Sequence, residues 1–156
     1  MNNQVSPENL LGAFEFLKIY FSSSSLENMI IDKEGGEYDA CSFVINNRII
    51  LFRKAKKTPK KDGFFVAIWI RDLFTQKTRP FDASDIFDFF VIFASEDAHE
   101  QHLFIINKSE LQTYAIVSTN FQGGKRGFRL YPPSTICMSF QAYRTQQWQK
   151  QFFVGF

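Results

Sequence analysis

The stretch "YDACSFVINNRIILFRKA" (residues 38–55) consists of two apolar runs separated by a pair of asparagines. Asparagine tolerates positive φ, and two such residues between β-branched and aromatic runs mark a tight hairpin. The pattern predicts strands over 38–45 and 48–55, closed at Asn46–Asn47. Further runs follow at strand length. "GFFVAIWI" (63–70) reads as a third, central strand, "DIFDFFVIFA" (85–94) as a fourth and "HLFIIN" (102–107) as a fifth. Shorter candidates are "NMIID" (28–32), "AIVS" (115–118) and "GFRLYPP" (127–133), the last stopped by its prolines. "SPENLLGAFEFLKIYF" (6–21) carries helix start signals: Ser6 as a cap, Pro7 at the first helical position and Glu8 at the positive end of the dipole. Its apolar residues cover more than one face, which predicts a well-buried helix. "KSELQTY" (108–114) is a short helix, and "TQQWQKQFF" (145–153) a C-terminal helix or extended tail. The expected fold is α+β, a mixed β-sheet with flanking helices, in a single domain over residues 1–156.

The charge is unevenly distributed. Six of the nine residues from Arg53 to Lys61 are basic, so against a net charge of +2 the rest of the chain sums to −4. Residues 80–107 contain six acids and no Lys or Arg. In strand alternation Ile49, Leu51 and Arg53 point one way and Ile50, Phe52, Lys54 and Lys56 the other, so one face turns cationic as the strand leaves the core. Lys57, Lys60 and Lys61 continue the charge into a loop stiffened by Pro59. Like charges at this density repel, and a bound polyanion offsets the repulsion. Nucleic acid is the anion that most rewards clustered Lys and Arg, through counterion release from phosphates. A second basic stretch, "QGGKRGFR" (122–129), places Lys125, Arg126 and Arg129 among glycines that allow a close approach to phosphate. Arg144, Gln146, Gln147, Trp148 and Lys150 are candidates for stacking and hydrogen bonding to the same ligand. The acidic segment should then lie away from this groove.

Catalytic signals are weak. His99 and His102 are three apart rather than the four of a zinc-binding HExxH helix, and "QGGKRG" lacks the Walker spacing. Cys41 and Cys137 form no CxxC pair and read as reduced core residues. Glu37 and Asp39 stand at a strand entrance, across the hairpin from Lys54 and Lys56. A carboxylate facing acid–x–Lys on a partner strand is how some Mg²⁺-dependent nucleases hold their metal. Here the acid is missing in both registers: Phe52 precedes Lys54 by two, and Lys54 precedes Lys56 by two. An active site would need a further acid, such as Glu15. The N-terminus has no signal peptide, and the longest apolar run is too short to span a bilayer, so a cytoplasmic protein without membrane insertion is expected.

Segments 37–69, 102–111, 124–133 ("GKRGFRLYPP") and 145–153 together resemble the MepB family, the most specific elements being "AKKTPKKDGFFVAIW", "KRGFR" and "TQQWQ". "HLFIINK" stands where the family pattern has "GQFIFPK". The resemblance implies a PD-(D/E)XK nuclease-like core that binds nucleic acid with an incomplete catalytic motif. Two readings follow. One is a binding module for DNA or RNA using Arg53, Lys54, Lys56, Lys57, Lys60, Lys61, Lys125, Arg126 and Arg129, without a cofactor. The other is a Mg²⁺-dependent phosphodiesterase using Glu37 or Asp39 with Lys54 or Lys56. A third possibility, an adaptor for an acidic protein, rests on the same basic patch.

Overall fold

The computed structural model of the chain describes residues 7–97 and 100–155; Ser6 and His99 lie outside them. The elements run α1 (Pro7–Tyr20), β1 (Glu27–Ile31), a 3-10 turn (Gly36–Tyr38), β2 (Cys41–Ile45), β3 (Arg48–Lys54), β4 (Lys56–Lys57), β5 (Phe64–Ala67), β6 (Trp69–Arg71), β7 (Thr78–Pro80), β8 (Phe89–Asp97), β9 (Glu100–Asn107), α2 (Lys108–Thr113), β10 (Gly127–Leu130), α3 (Phe140–Gln149), a second 3-10 turn (Lys150–Phe152) and β11 (Phe153–Gly155). The α+β expectation holds.

The main sheet has six strands in the order β1-β2-β3-β8-β9-β11. It is mixed, because β3 and β8 run parallel while its other pairs are antiparallel. The β2–β3 hairpin closes as the asparagine pair predicts: Ile45 faces Arg48, and Asn46 and Asn47 adopt φ of 46° and 61°. The central strands are covered on both faces, which is why β8 and β9 read as near-continuous apolar runs. Ile50, Phe52, Val91, Phe93, Leu103 and Ile105 pack under α1. Phe90, Ile92, Phe104 and Ile106 face a second core. α1 meets the sheet with one stripe, Leu10, Ala13 and Leu17, which Phe21 continues just past the helix end. Leu11, Ile19 and Tyr20 on its far side are exposed, so the helix is less buried than its composition suggests.

Parallel neighbours need a long crossover, and here the β3-to-β8 connection builds the second layer. β4 and β5 pair and are joined by β10 into a three-stranded sheet, while β6 and β7 form a separate hairpin. The run 63–70 is therefore not a single strand of the main sheet, although its first half, β5, is the central strand of the smaller one. It divides at Ile68, whose N–H is donated to Arg126 O, and neither half enters the main sheet. Residues 115–118 are also not a strand; Ser118 makes an isolated bridge to Asp82. The 145–153 segment is the end of α3 followed by a 3-10 turn, and the chain then adds β11 to the sheet edge.

Both cysteines are free thiols; Cys41 is buried and Cys137 half-buried. Burial pushes the Cys41 thiol up to about 12, against an opposing pull from Arg53. Alkylation of the folded protein near pH ~8 should therefore label Cys137 first and reach Cys41 only on unfolding, as peptide mapping would show. Among the described residues, no helix is long and apolar enough to cross a membrane.

Candidate nucleic-acid interface

The basic run divides among three environments. Arg53 ends inside the protein, only 5 % exposed. The alternation that sends Leu51 inward sends Arg53 the same way, and the crossover folds over that face. Ala67 and Trp69 line the same small cavity as Arg53. Its guanidinium donates to Phe52 O at 2.8 Å, lies 5.4 Å from the Phe90 ring and is 3.8 Å from Asp32. Burial lowers its pKa and Asp32 opposes that shift. Arg53 is thus a structural cation beneath the surface, unlike the phosphate contact its sequence position suggests.

Lys54, Lys56 and Lys57 form the second group. Lys54 is half-buried, whereas Lys56 and Lys57 on β4 are exposed. Lys56 Nζ lies 3.5 Å from Glu37 Oε1 and 5.0 Å from the Tyr38 ring. Lys57 Nζ lies 5.4 Å from the Phe64 ring. Burial pushes the Asp39 carboxyl up, and Lys54 and Lys56 pull it back. Glu37 and Asp39 are thus matched to lysines.

The third group joins segments far apart in sequence. Arg129 on β10 donates to Thr58 Oγ1 at 2.6 Å and twice to Asp62 O, at 2.8 and 3.1 Å. This fastens β10 to the loop carrying Lys60 and Lys61. Lys61 and Lys125, both exposed, and the half-buried Arg129 line one cleft of about 450 Å³. Tyr114, Tyr131, Thr145 and Trp148 supply its other walls. Lys60 is exposed but outside the cleft lining, and the Arg126 guanidinium is turned to Thr78 O at 2.8 Å.

The "TQQWQ" segment explains how α3 is set against this cleft. Gln149, fully buried, donates to Arg129 O and accepts from Tyr131 N, each at 2.8 Å. Gln146 donates to Pro132 O at 2.9 Å and Thr135 O at 2.8 Å. These two glutamines fix the helix to the exit of β10 and are not free for a ligand. Between them, Trp148 stacks on Tyr114, with ring centres 4.2 Å apart and planes 12° from parallel. Tyr114, Tyr131 and Phe140 were not singled out by the sequence. The available signals were the Tyr131-Pro132-Pro133 turn and an aromatic residue opening a helix that also carries Tyr143 and Trp148.

Asp82, Asp85 and Asp88 are not among the residues lining the cleft, but Asp82 is bonded to the loop that leads into Lys125 and Arg126. Asp82, 1 % exposed, accepts from Ser84 Oγ at 2.6 Å, Ser118 Oγ at 2.7 Å, Phe121 N at 2.8 Å and Ser84 N at 3.0 Å. Burial disfavours its charge, but these bonds outweigh that and hold the carboxyl well below the usual range. Asp85 takes a two-pronged bond from Arg79 at 2.7 and 2.9 Å. Asp88 Oδ2 accepts from Ile49 N at 2.7 Å. Glu15 pairs with Lys18 on α1 at 2.7 Å. Among the described residues, no three of His, Cys, Asp and Glu come together as metal ligands. Mg²⁺ needs near-octahedral oxygen coordination, and Glu37 and Asp39 between lysines do not fit it.

Among curated proteins, none matches the chain. A solved structure titled "Crystal Structure of MepB" is similar to it with a TM-score of 0.79 and 28 % identity, covering 92 % of this chain and 95 % of that one. The family described as MepB-like matches residues 32–155, the span that contains the hairpin, the basic loop, β10 and the glutamine clamps of α3. This chain belongs to the MepB-like family.

Proposed function

We propose that the protein is a binding module for nucleic acid, holding phosphates along the basic surface of β4, the 58–62 loop and β10. The observation that carries this reading is the convergence of two basic stretches, about 65 residues apart, on one cleft lined by Lys61, Lys125 and Arg129. Arg129 supports the cleft from below, and Lys54, Lys56, Lys57, Lys60 and Arg126 extend the positive field around it. The β1–β2–β3 meander followed by parallel β8 supports a degenerate PD-(D/E)XK-like core as the platform. The poor metal donor set favours binding over a Mg²⁺-dependent phosphodiesterase.

The test is fluorescence anisotropy with labelled DNA and RNA at increasing salt, with parallel samples containing Mg²⁺ analysed for cleavage. Affinity should fall steeply with salt. Lys61→Ala combined with Lys125→Ala should weaken binding roughly tenfold and flatten the duplex slope by about 0.9 per lysine that contacts phosphate. Salt-independent binding, or no effect of the double substitution, would overturn the assignment. Metal-dependent cutting lost in Asp39→Ala would replace it with the enzyme reading.

A further inference from the structure

Resting on the nucleic-acid reading, we infer that the cleft takes an unpaired nucleotide, so that the protein prefers single-stranded nucleic acid to duplex. The cleft described above adjoins a second, more open cavity of about 820 Å³. The two share Tyr114, Gln141, Thr145 and Trp148, so the stacked Tyr114–Trp148 pair is a wall common to both. Cations stand on each side of that wall. Lys61 and Lys125 line the smaller space. Arg144 borders the larger one, 5.7 Å from the ring of Phe140. Phe140 is 75 % exposed. A large aromatic left in water beside an arginine, in an aromatic-walled cavity that adjoins a cleft lined by lysines, is the composition of a base-stacking platform next to a phosphate track.

The geometry also separates the two forms of nucleic acid. A duplex keeps its bases inside its own stack and offers such a cleft only phosphates. An unpaired strand can seat a base against the aromatic side chains while its phosphates reach the lysines, gaining both contacts. Both spaces are of the volume that ligands of nucleotide size occupy, roughly 300–1,000 Å³.

The experiment compares a labelled single-stranded 15-mer of thymidines with a labelled 15-base-pair duplex at one salt concentration. It uses the full chain, Phe140→Ala and Phe140→Tyr. The native protein should favour the single strand by about tenfold. Phe140→Ala should weaken single-strand binding roughly five- to twentyfold and leave duplex binding within about twofold, while Phe140→Tyr retains the preference. Because Phe140 is exposed, its removal should leave the unfolding transition in place. Equal binding of both forms, or a Phe140→Ala variant that keeps the preference, would overturn this inference. If the lysine substitutions still weakened binding in that case, the broader reading would stand. Absence of binding to either oligonucleotide would overturn both.

Discussion

Replacing Asp82 by alanine is expected to destabilise the protein by roughly 3–4 kcal/mol, measured by urea unfolding. The side chain is buried and accepts four hydrogen bonds from three residues: Ser84, Ser118 and Phe121. Removing the carboxylate takes the acceptor from the Phe121 amide and from Ser84, and leaves the Ser118 hydroxyl only its longer 3.3 Å bond to Phe81 O. Each such loss costs about 1–3 kcal/mol. The same carboxylate should appear in the pH dependence. Its folded-state pKa is depressed below the ordinary value near ~3.9, so its contribution is fully present above that pH and is lost as pH falls further toward the folded value. Asp82→Asn keeps the shape, retains one acceptor oxygen and does not titrate. It should lose about half as much stability at neutral pH and show a shallower acid limb than the native protein. A change under about 1 kcal/mol in Asp82→Ala would show that the 118–121 segment rearranges to satisfy itself.

Gly63→Ala is expected to cost about 3 kcal/mol and to weaken ligand binding as well. Two effects add at this glycine. Its φ of +73° lies in the left-handed region, and a Cβ there would collide with the Leu130 carbonyl oxygen and the Tyr131 ring. Gly123 has the same kind of backbone, φ +77°, but open space around it, and Gly36 has open space with no positive φ. The three alanine variants therefore separate the causes. Gly36→Ala should be near neutral, Gly123→Ala should cost about 1 kcal/mol from conformation alone, and Gly63→Ala should cost the sum of conformation and collision. The collision would push the 58–62 loop from β10, against the bonds Arg129 makes to Thr58 and Asp62. Lys61 and Lys125 would then no longer line one cleft, so affinity should fall beyond what reduced stability explains. Equal losses at Gly63 and Gly123 would place the whole cost in the backbone and none in the packing.

Much of the architecture was legible before any coordinates. The asparagine pair, the apolar runs of β8 and β9, and the basic loop are local patterns, and local patterns are set by backbone preference and side-chain alternation. The family resemblance was legible for a related reason: "KRGFR" and "TQQWQ" carry residues whose hydrogen bonds fix the chain. Gln146 and Gln149 look like surface residues in the sequence and are clamps in the structure.

By itself, then, the sequence determined the hairpin, the α+β class, the family and the positive charge of two segments. Only the tertiary structure decided the rest. Nothing local distinguishes an apolar run in a main sheet from one in a covering sheet, so the division of 63–70 at Ile68 followed from what packs over β3 and β8. Nothing local distinguishes a surface arginine from one enclosed by a crossover, so Arg53 changed role when residues 55–88 folded over its face. The cleft itself joins Lys61, Lys125 and Trp148, whose proximity depends on β10 pairing with β5 and on α3 being held by its glutamines. Such contacts depend on the closure of long loops, and loop closure leaves no periodic trace in the order of residues.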